Sequence, residues 1–233
     1  MIPTALNTTG PDVAFLLLVT VGTLWYAGYL YKSRVRGRLL DLQLRGYNIA
    51  LGAGWLLLAA GLSCPLVVGT NSFALHVSAH TLVALAAPPF FLLALPRSLA
   101  WDLVPTQRRK QWVRKLTNPY LAGVIFESYI MLTHMPDSYE LLVAHTASHG
   151  LLHLSLFVLG MWYWWPVVEP LPVWGLYGWL WKIVYLFLSR IPLFSLGIAL
   201  ALSPDIVYQP VVFSLAPRMS ALLEQQVGGA IFI

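Results

Sequence analysis

Residues 140–170 read ELLVAHTASHGLLHLSLFVLGMWYWWPVVEP, and this stretch decides what kind of protein the chain is. His145, His149 and His153 are spaced by four. Four residues advance an α-helix by about 6 Å and carry it only about 40° past a full turn, so neighbouring members of the trio stack on one face. The stretch continues through apolar residues into Trp162, Tyr163, Trp164 and Trp165 and is closed by Pro166. That is the pattern of a membrane helix with imidazoles near one end and an aromatic belt at the other. Ionisable side chains at membrane depth are costly and mark functional sites.

Composition agrees with this reading. The chain has 233 residues, of which 58% are hydrophobic and only 10% charged. Its mean hydropathy is +0.72. Soluble domains carry about 25% charged residues, so an integral membrane protein of one domain, residues 1–233, is expected. The net charge of +5 is not a nucleic-acid signal. Eleven of the fourteen Lys and Arg residues fall in two short segments: Lys32, Arg34, Arg36, Arg38 and Arg45, then Arg97, Arg108, Arg109, Lys110, Arg114 and Lys115. Basic clusters between apolar runs mark cytoplasmic loops that touch anionic lipid. Cys64 is the single cysteine, which excludes an internal disulfide and a thiolate metal cluster. No basic stretch precedes the first apolar run, so no cleaved signal peptide is expected.

The apolar runs predict an all-α bundle with six transmembrane helices at approximately 12–31, 46–67, 73–95, 119–134, 140–166 and 175–202. A short seventh, 219–233, is about 23 Å long as a helix and marginal for a span. Ending the first helix at a basic cluster places the N-terminus outside. The second helix is rich in Gly and Ala, which suits close packing. Pro88 and Pro89 are expected to break the third helix, and Pro192 to kink the sixth.

The chain's six histidines then share one leaflet. His76 and His80 lie four apart near the start of the third helix, His134 ends the fourth, and the trio opens the fifth. All fall within about two turns, about 12 Å, of the outer surface. Neutral imidazole ligates copper, zinc, nickel and iron alike. His76, His80, His145 and His149 match in depth and are the expected principal metal ligands, with His153 and His134 secondary. His145 and His153 stand about 12 Å apart along the axis, so one ion cannot hold both. Met131 and Met135 flank His134 and offer soft thioethers suited to Cu(I). Gln225 and Gln226 are candidates to hydrogen-bond a ligating imidazole. Glu127 lies at a depth comparable to Lys182, and a buried ion pair between them is expected. No motif for ATP use or hydrolysis is found.

Taken in order, these motifs resemble the CtaG-type cytochrome c oxidase assembly factors, polytopic membrane proteins linked to copper insertion. The residues that carry the resemblance are His76-x3-His80 followed by Ala87-Pro88-Pro89, then Thr133-His134-Met135-Pro136. The His145-x3-His149-x3-His153 helix with Gly160 and Trp164-Trp165-Pro166 follows, and after it Leu202-Ser203-Pro204 and Glu224-Gln225-Gln226-Val227-Gly228-Gly229. The likeness covers roughly 70–233. Thr133 replaces the family's usual aromatic residue, Glu224 its usual Asp, and Arg190 departs from the pattern. Family chains continue past this last helix, which leaves two expectations open: that the chain works alone, or that it packs against a homo- or hetero-oligomeric partner that completes the bundle.

The resemblance implies a non-enzymatic factor in a prokaryotic plasma membrane. It would hold a copper ion, Cu(I) or Cu(II), at an outward-facing histidine site, and would assist a respiratory oxidase. Two alternatives stand beside it: a bis-histidine haem-binding subunit of an electron-transfer complex, and a metal transporter. The inner leaflet carries no histidine, which counts against a two-haem relay across the membrane.

Overall fold

The computed structural model describes residues 11–37, 40–68, 72–144, 146–171, 178–208 and 220–233. These form helices and no strand. Four helices are long and apolar enough to cross a membrane: α1 (Pro11–Val35), α2 (Asp41–Val68), α3 (Phe73–Leu93) and, after the short elements α4 (Arg97–Leu103), α5 (Gln107–Leu116), α6 (Pro119–Thr133) and α7 (Pro136–Ala144), the helix α8 (Thr146–Val168). A fifth span arises if α9 (Trp179–Ser189) and α10 (Ile191–Leu202) are taken as one element bent by 41°. The last helix is α11 (Ala221–Phe232). Several apolar helices of this kind fit a multi-pass membrane protein. The six-span count is not reproduced by length: α6 has 15 residues and α11 has 12, short of the roughly 20 that a bilayer core requires.

Three expectations about individual helices change. The third helix is not broken at Pro88 and Pro89. Residues Leu82–Ala86 widen into a π-turn, in which the Ala87 N–H donates to the Leu82 carbonyl, and α3 continues through both prolines. Proline has no N–H to give and its ring crowds the preceding turn; a π-turn makes room by inserting a residue into the ladder. Second, helix begins earlier than the expected 140, at Pro136: α7 covers Pro136–Ala144 and α8 Thr146–Val168, with residue 145 outside the described residues. Third, α8 runs through Pro166 to Val168. Glu169 beyond it takes a positive φ of 50°. The kink expected at Pro192 is the bend at Arg190, with Pro192 in the first turn of α10. There it costs no hydrogen bond.

Small residues set the closest approaches. Pro88 and Pro89 leave the carbonyls of Ala84 and Leu85 without their usual helical donors. A Cβ on Gly160 of α8 would overlap the Ala84 carbonyl oxygen. Gly160 is thus what lets α8 lie directly against the proline-altered part of α3. At the other crossing, a Cβ on Gly197 of α10 would stand 2.8 Å from the Gly229 carbonyl oxygen of α11. The two helices therefore meet backbone to backbone, as small residues allow in membranes. On α2, Gly61 comes close to the Ala79 carbonyl oxygen of α3 and Gly54 makes room for the Phe91 ring, whereas Gly52 meets nothing.

The bundle has two distinct ends. The start of α3, the end of α6 and the start of α8 gather at one, which carries the histidines. The other holds α4 and α5, with Arg97, Arg108, Arg109, Lys110, Arg114 and Lys115. There the Trp162 indole N–H of α8 donates to the Leu116 carbonyl, 2.6 Å away.

Candidate metal centre

The start of α3 is held in place before its histidines are reached. Ser72 is the N-cap: its hydroxyl accepts from the Leu75 N–H at 3.3 Å. The same hydroxyl donates to a Glu224 carboxylate oxygen at 2.6 Å, and the Ala74 N–H reaches that oxygen at 3.4 Å. A carboxylate at a helix N-terminus answers both the free N–H groups and the helix dipole. One turn further, His76 and His80 lie inside the bundle, both buried. From α8 come His149 and His153, and from the end of α6 comes His134, all three buried.

The imidazoles converge. One ring nitrogen each from His76, His80 and His149 lie within 4.8 Å of one another. The His76 and His149 ring centroids are 5.4 Å apart, and those of His80 and His149 are 5.7 Å apart. With metal–nitrogen bonds of about 2.0 Å, two imidazoles at about 120° around one ion place their centroids about 5.5 Å apart. The His76–His80 pair, one turn apart on α3, stands at 4.0 Å with the rings tilted by 58°. His80 is the hub: His153 lies 5.2 Å and His134 6.0 Å from it, centroid to centroid.

Several of these nitrogens have nothing to bond to. His76 Nε2, both nitrogens of His80, and His134 Nε2 are buried without a hydrogen-bond partner among the described residues. A buried polar atom left unmatched costs about 1–3 kcal/mol. Native proteins match nearly all such atoms, so several adjacent exceptions call for a ligand. His134 Nδ1, by contrast, lies 2.8 Å from the Ile130 carbonyl oxygen. A carbonyl only accepts, so Nδ1 carries the proton and Nε2 presents a lone pair.

A model of the cytochrome c oxidase caa3 assembly factor family (Caa3_CtaG) matches residues 24–233. The chain belongs to this family. No curated protein and no solved structure matches it. The family match covers every helix that supplies a histidine, together with the C-terminal segment that braces them.

That bracing differs from the sequence expectation for this Caa3_CtaG chain. Gln225 and Gln226 were candidates to hold an imidazole; both instead spend their amides on backbone. Gln225 Oε1 accepts from the N–H groups of Val207 at 2.7 Å and Tyr208 at 3.4 Å, and its Nε2 donates to the Asp205 carbonyl at 3.1 Å. Gln226 Nε2 donates to the Ser203 carbonyl at 3.2 Å. The glutamines thereby fasten residues 203–208 onto α11. Support reaches the site indirectly, because the buried Tyr208 hydroxyl donates to the His134 carbonyl at 2.7 Å.

Two tyrosines complete the wall. The Tyr139 ring lies 5.4 Å from His76 and 4.7 Å from Tyr208, and its buried hydroxyl has no partner among the described residues. Burial pushes both phenols well above their ordinary range, with each other's proximity adding to the effect on Tyr139. Both therefore stay protonated donors at neutral pH. Neither carried a sequence signal. Tyr139 sits in an unremarkable M-P-D-S-Y stretch, and Tyr208 follows a loop motif whose role shows only in three dimensions.

His145 lies outside the described residues. The methionine candidates fall outside the cluster. Met135 is 55% exposed, and Met131 is half-buried on α6. The expected Glu127–Lys182 pair is replaced by two others. Arg190 Nη1 donates to Glu127 Oε1 at 3.0 Å, and Lys182 Nζ donates to Glu169 Oε2 at 2.7 Å and to the Val167 carbonyl at 2.8 Å. Arg190 stands at the middle of the bent α9–α10 element, level with the middle of α6. Lys182 is about 12 Å nearer the basic end.

Proposed function

We propose that this assembly factor is a copper-binding membrane protein that holds the ion at the histidine cluster on the extracytoplasmic side and supplies it to a respiratory haem–copper oxidase. The observation that carries the reading is the convergence of three buried imidazoles, with several nitrogens unmatched, in a chain of an oxidase assembly family. A nitrogen-only set without thiolate suits copper or zinc by geometry. The assembly role favours copper, which is cargo here rather than a resident cofactor. The reading assigns no catalytic residue to the chain.

The side follows from charge. The basic α4–α5 segment and the histidines lie at opposite ends of α3, whose 21 residues span about 31 Å. Basic segments stay in the cytoplasm, which turns the histidines outward. The alternative of haem between two imidazoles is disfavoured by the packing. The five rings interleave at centroid distances of 4.0–6.0 Å, with no gap between them for a macrocycle. A partner in the membrane, an oxidase subunit or a second copy, would receive the ion.

Metal analysis and competition with a chromophoric chelator test this reading. Purified protein is expected to take up Cu(I) and to show no Soret band. Weaker copper binding than wild type in both His80→Ala and His149→Ala, with helical content retained, supports it. Wild-type affinity in both variants, for copper and for zinc, would overturn it. The orientation is checked separately: in a Cys64-replaced background, a cysteine at Asn71 is expected to react with an impermeant thiol reagent on intact cells. Reaction at Gln107 instead would invert the topology.

A further inference from the structure

Three observations set His134 apart from a histidine that merely lines the cluster. Its Nδ1 is committed to the Ile130 carbonyl, which directs the lone pair to Nε2. That Nε2 is buried and has no partner among the described residues. Its ring centroid is 6.0 Å from that of His80. A ligating histidine is typically fixed by just such a hydrogen bond from its other nitrogen, so His134 is prepared as a ligand before any ion arrives.

The 6.0 Å separation is itself informative. Two imidazoles on opposite sides of one ion, with bonds of about 2.0 Å, place their centroids just over about 6 Å apart. That linear, two-coordinate arrangement is one that Cu(I) accepts and zinc does not. The His149 ring stands closer to His80, at 5.7 Å, as a three-coordinate set requires.

We infer that copper has a second position in this protein, a two-coordinate Cu(I) site between His80 and His134, and that it serves as the departure point from the His76–His80–His149 site. The inference rests on the copper reading above. In the step, the Cu–N bonds to His76 and His149 break and one bond to His134 Nε2 forms. His80 stays bound through one nitrogen throughout. Copper remains Cu(I), no proton moves and no electron is exchanged, so no co-reactant is needed. His134 also touches the C-terminal helix: its ring stands edge-on to Phe232 at 5.1 Å, and its carbonyl is held by Tyr208. The ion would therefore leave on the α11 side of the cluster rather than between α3 and α8.

The experiment isolates the second position by removing the first. His149→Ala, loaded with one equivalent of Cu(I), is expected to retain copper with the X-ray absorption edge of a two-coordinate ion. Adding His134→Ala, or His134→Gln to keep a buried polar side chain, is expected to abolish that edge and weaken binding about tenfold or more. In the otherwise wild-type chain, His134→Gln should keep copper at the triad but slow its transfer to an external chelator by a similar factor. The inference is overturned if His149→Ala holds no copper, or if adding either His134 substitution changes neither edge nor affinity. Absence of copper from the wild-type protein would instead remove the underlying reading, and this inference with it. Helical content measured on each variant separates loss of a ligand from loss of the fold.

Discussion

Glu169 and Lys182 at one end of the bundle, and His76 and His80 at the other, are polar side chains taken at least partly out of solvent, yet they are treated in opposite ways. At the basic end Lys182 has both a carboxylate and a carbonyl, so it closes the end of α8 as well as neutralising Glu169. Lys110 nearby lies over the Trp101 ring at 4.3 Å. At the histidine end, three of the four nitrogens of His76 and His80 are buried without a hydrogen-bond partner among the described residues. Both ends are built by capped helices, so loose folding is not the cause. At the basic end the charged groups are matched, although the buried Trp164 and Trp165 indole N–H groups have no partner among the described residues; the histidine end keeps acceptor lone pairs for something else.

If that contrast is right, removing a histidine should hurt function far more than stability. His80→Ala is the strongest case. It is expected to lower Cu(I) affinity by about 100-fold or more, since both arrangements that use the site share this residue. Its unfolding in detergent should shift by less than that of an ordinary buried side chain, because the lost packing is offset by removing two unmatched nitrogens. Chelator competition and chemical unfolding on the same preparation decide it. A large loss of stability with copper affinity intact would make His80 a packing residue and erase the contrast.

Between the two ends, Glu127 and Arg190 form a mid-bundle pair that tests the same logic from the other side. Their side chains are only 4% and 15% exposed. Glu127→Ala leaves an uncompensated buried guanidinium, so a loss of about 3–5 kcal/mol is expected. The double replacement Glu127→Gln with Arg190→Met should recover much of it, because neither charge then remains. Copper affinity should not change in either variant. A double variant no more stable than Glu127→Ala would mean that the pair acts through something other than charge matching, such as setting the 41° bend between α9 and α10.

How far the sequence reaches is visible in these same residues. The i, i+4 histidine pairs were legible because helical periodicity alone puts them on one face, and the basic clusters placed them in one leaflet. The Gly and Ala content of α2 announced close packing that is found at Gly54 and Gly61 but not at Gly52, Ala59 or Ala60. Periodicity does not say which helices are neighbours, however, and that is where the reading failed. Lys182 was matched to Glu127 by approximate depth, whereas Arg190 stands at the level of Glu127. Gln225 and Gln226 looked like imidazole partners because amides near histidines often are, but residues 203–208 have backbone groups that need those amides more. Pro88 and Pro89 predicted a break because proline cannot serve an α-helical ladder. The π-turn that absorbs them packs against Gly160, 71 residues later in the chain.

At the basic end, Glu169→Ala removes one of the two Lys182 partners and leaves the Val167 carbonyl as the other. Lys182 is 24% exposed at its side chain and has some access to solvent. The expected loss of stability is therefore about 1 kcal/mol, with copper affinity unchanged. Any effect on copper larger than on stability would show that the two ends communicate.

The smallest effect is expected where the matched and unmatched regions join. Tyr208→Phe keeps the ring that stacks on Phe73 at 4.8 Å but deletes the hydroxyl that donates to the His134 carbonyl. One neutral hydrogen bond contributes about 1 kcal/mol, so a loss of that order, or less, is expected on unfolding. The His134 ring keeps its own bond to Ile130, so equilibrium Cu(I) affinity should stay near wild type. What should change is the order of the His134 backbone, and with it the rate at which copper reaches an external chelator. Tyr208→Phe should therefore alter transfer in the same direction as His134→Gln, and by less. Identical transfer rates for wild type and Tyr208→Phe would confine Tyr208 to a packing role and leave the positioning of His134 to Ile130 alone.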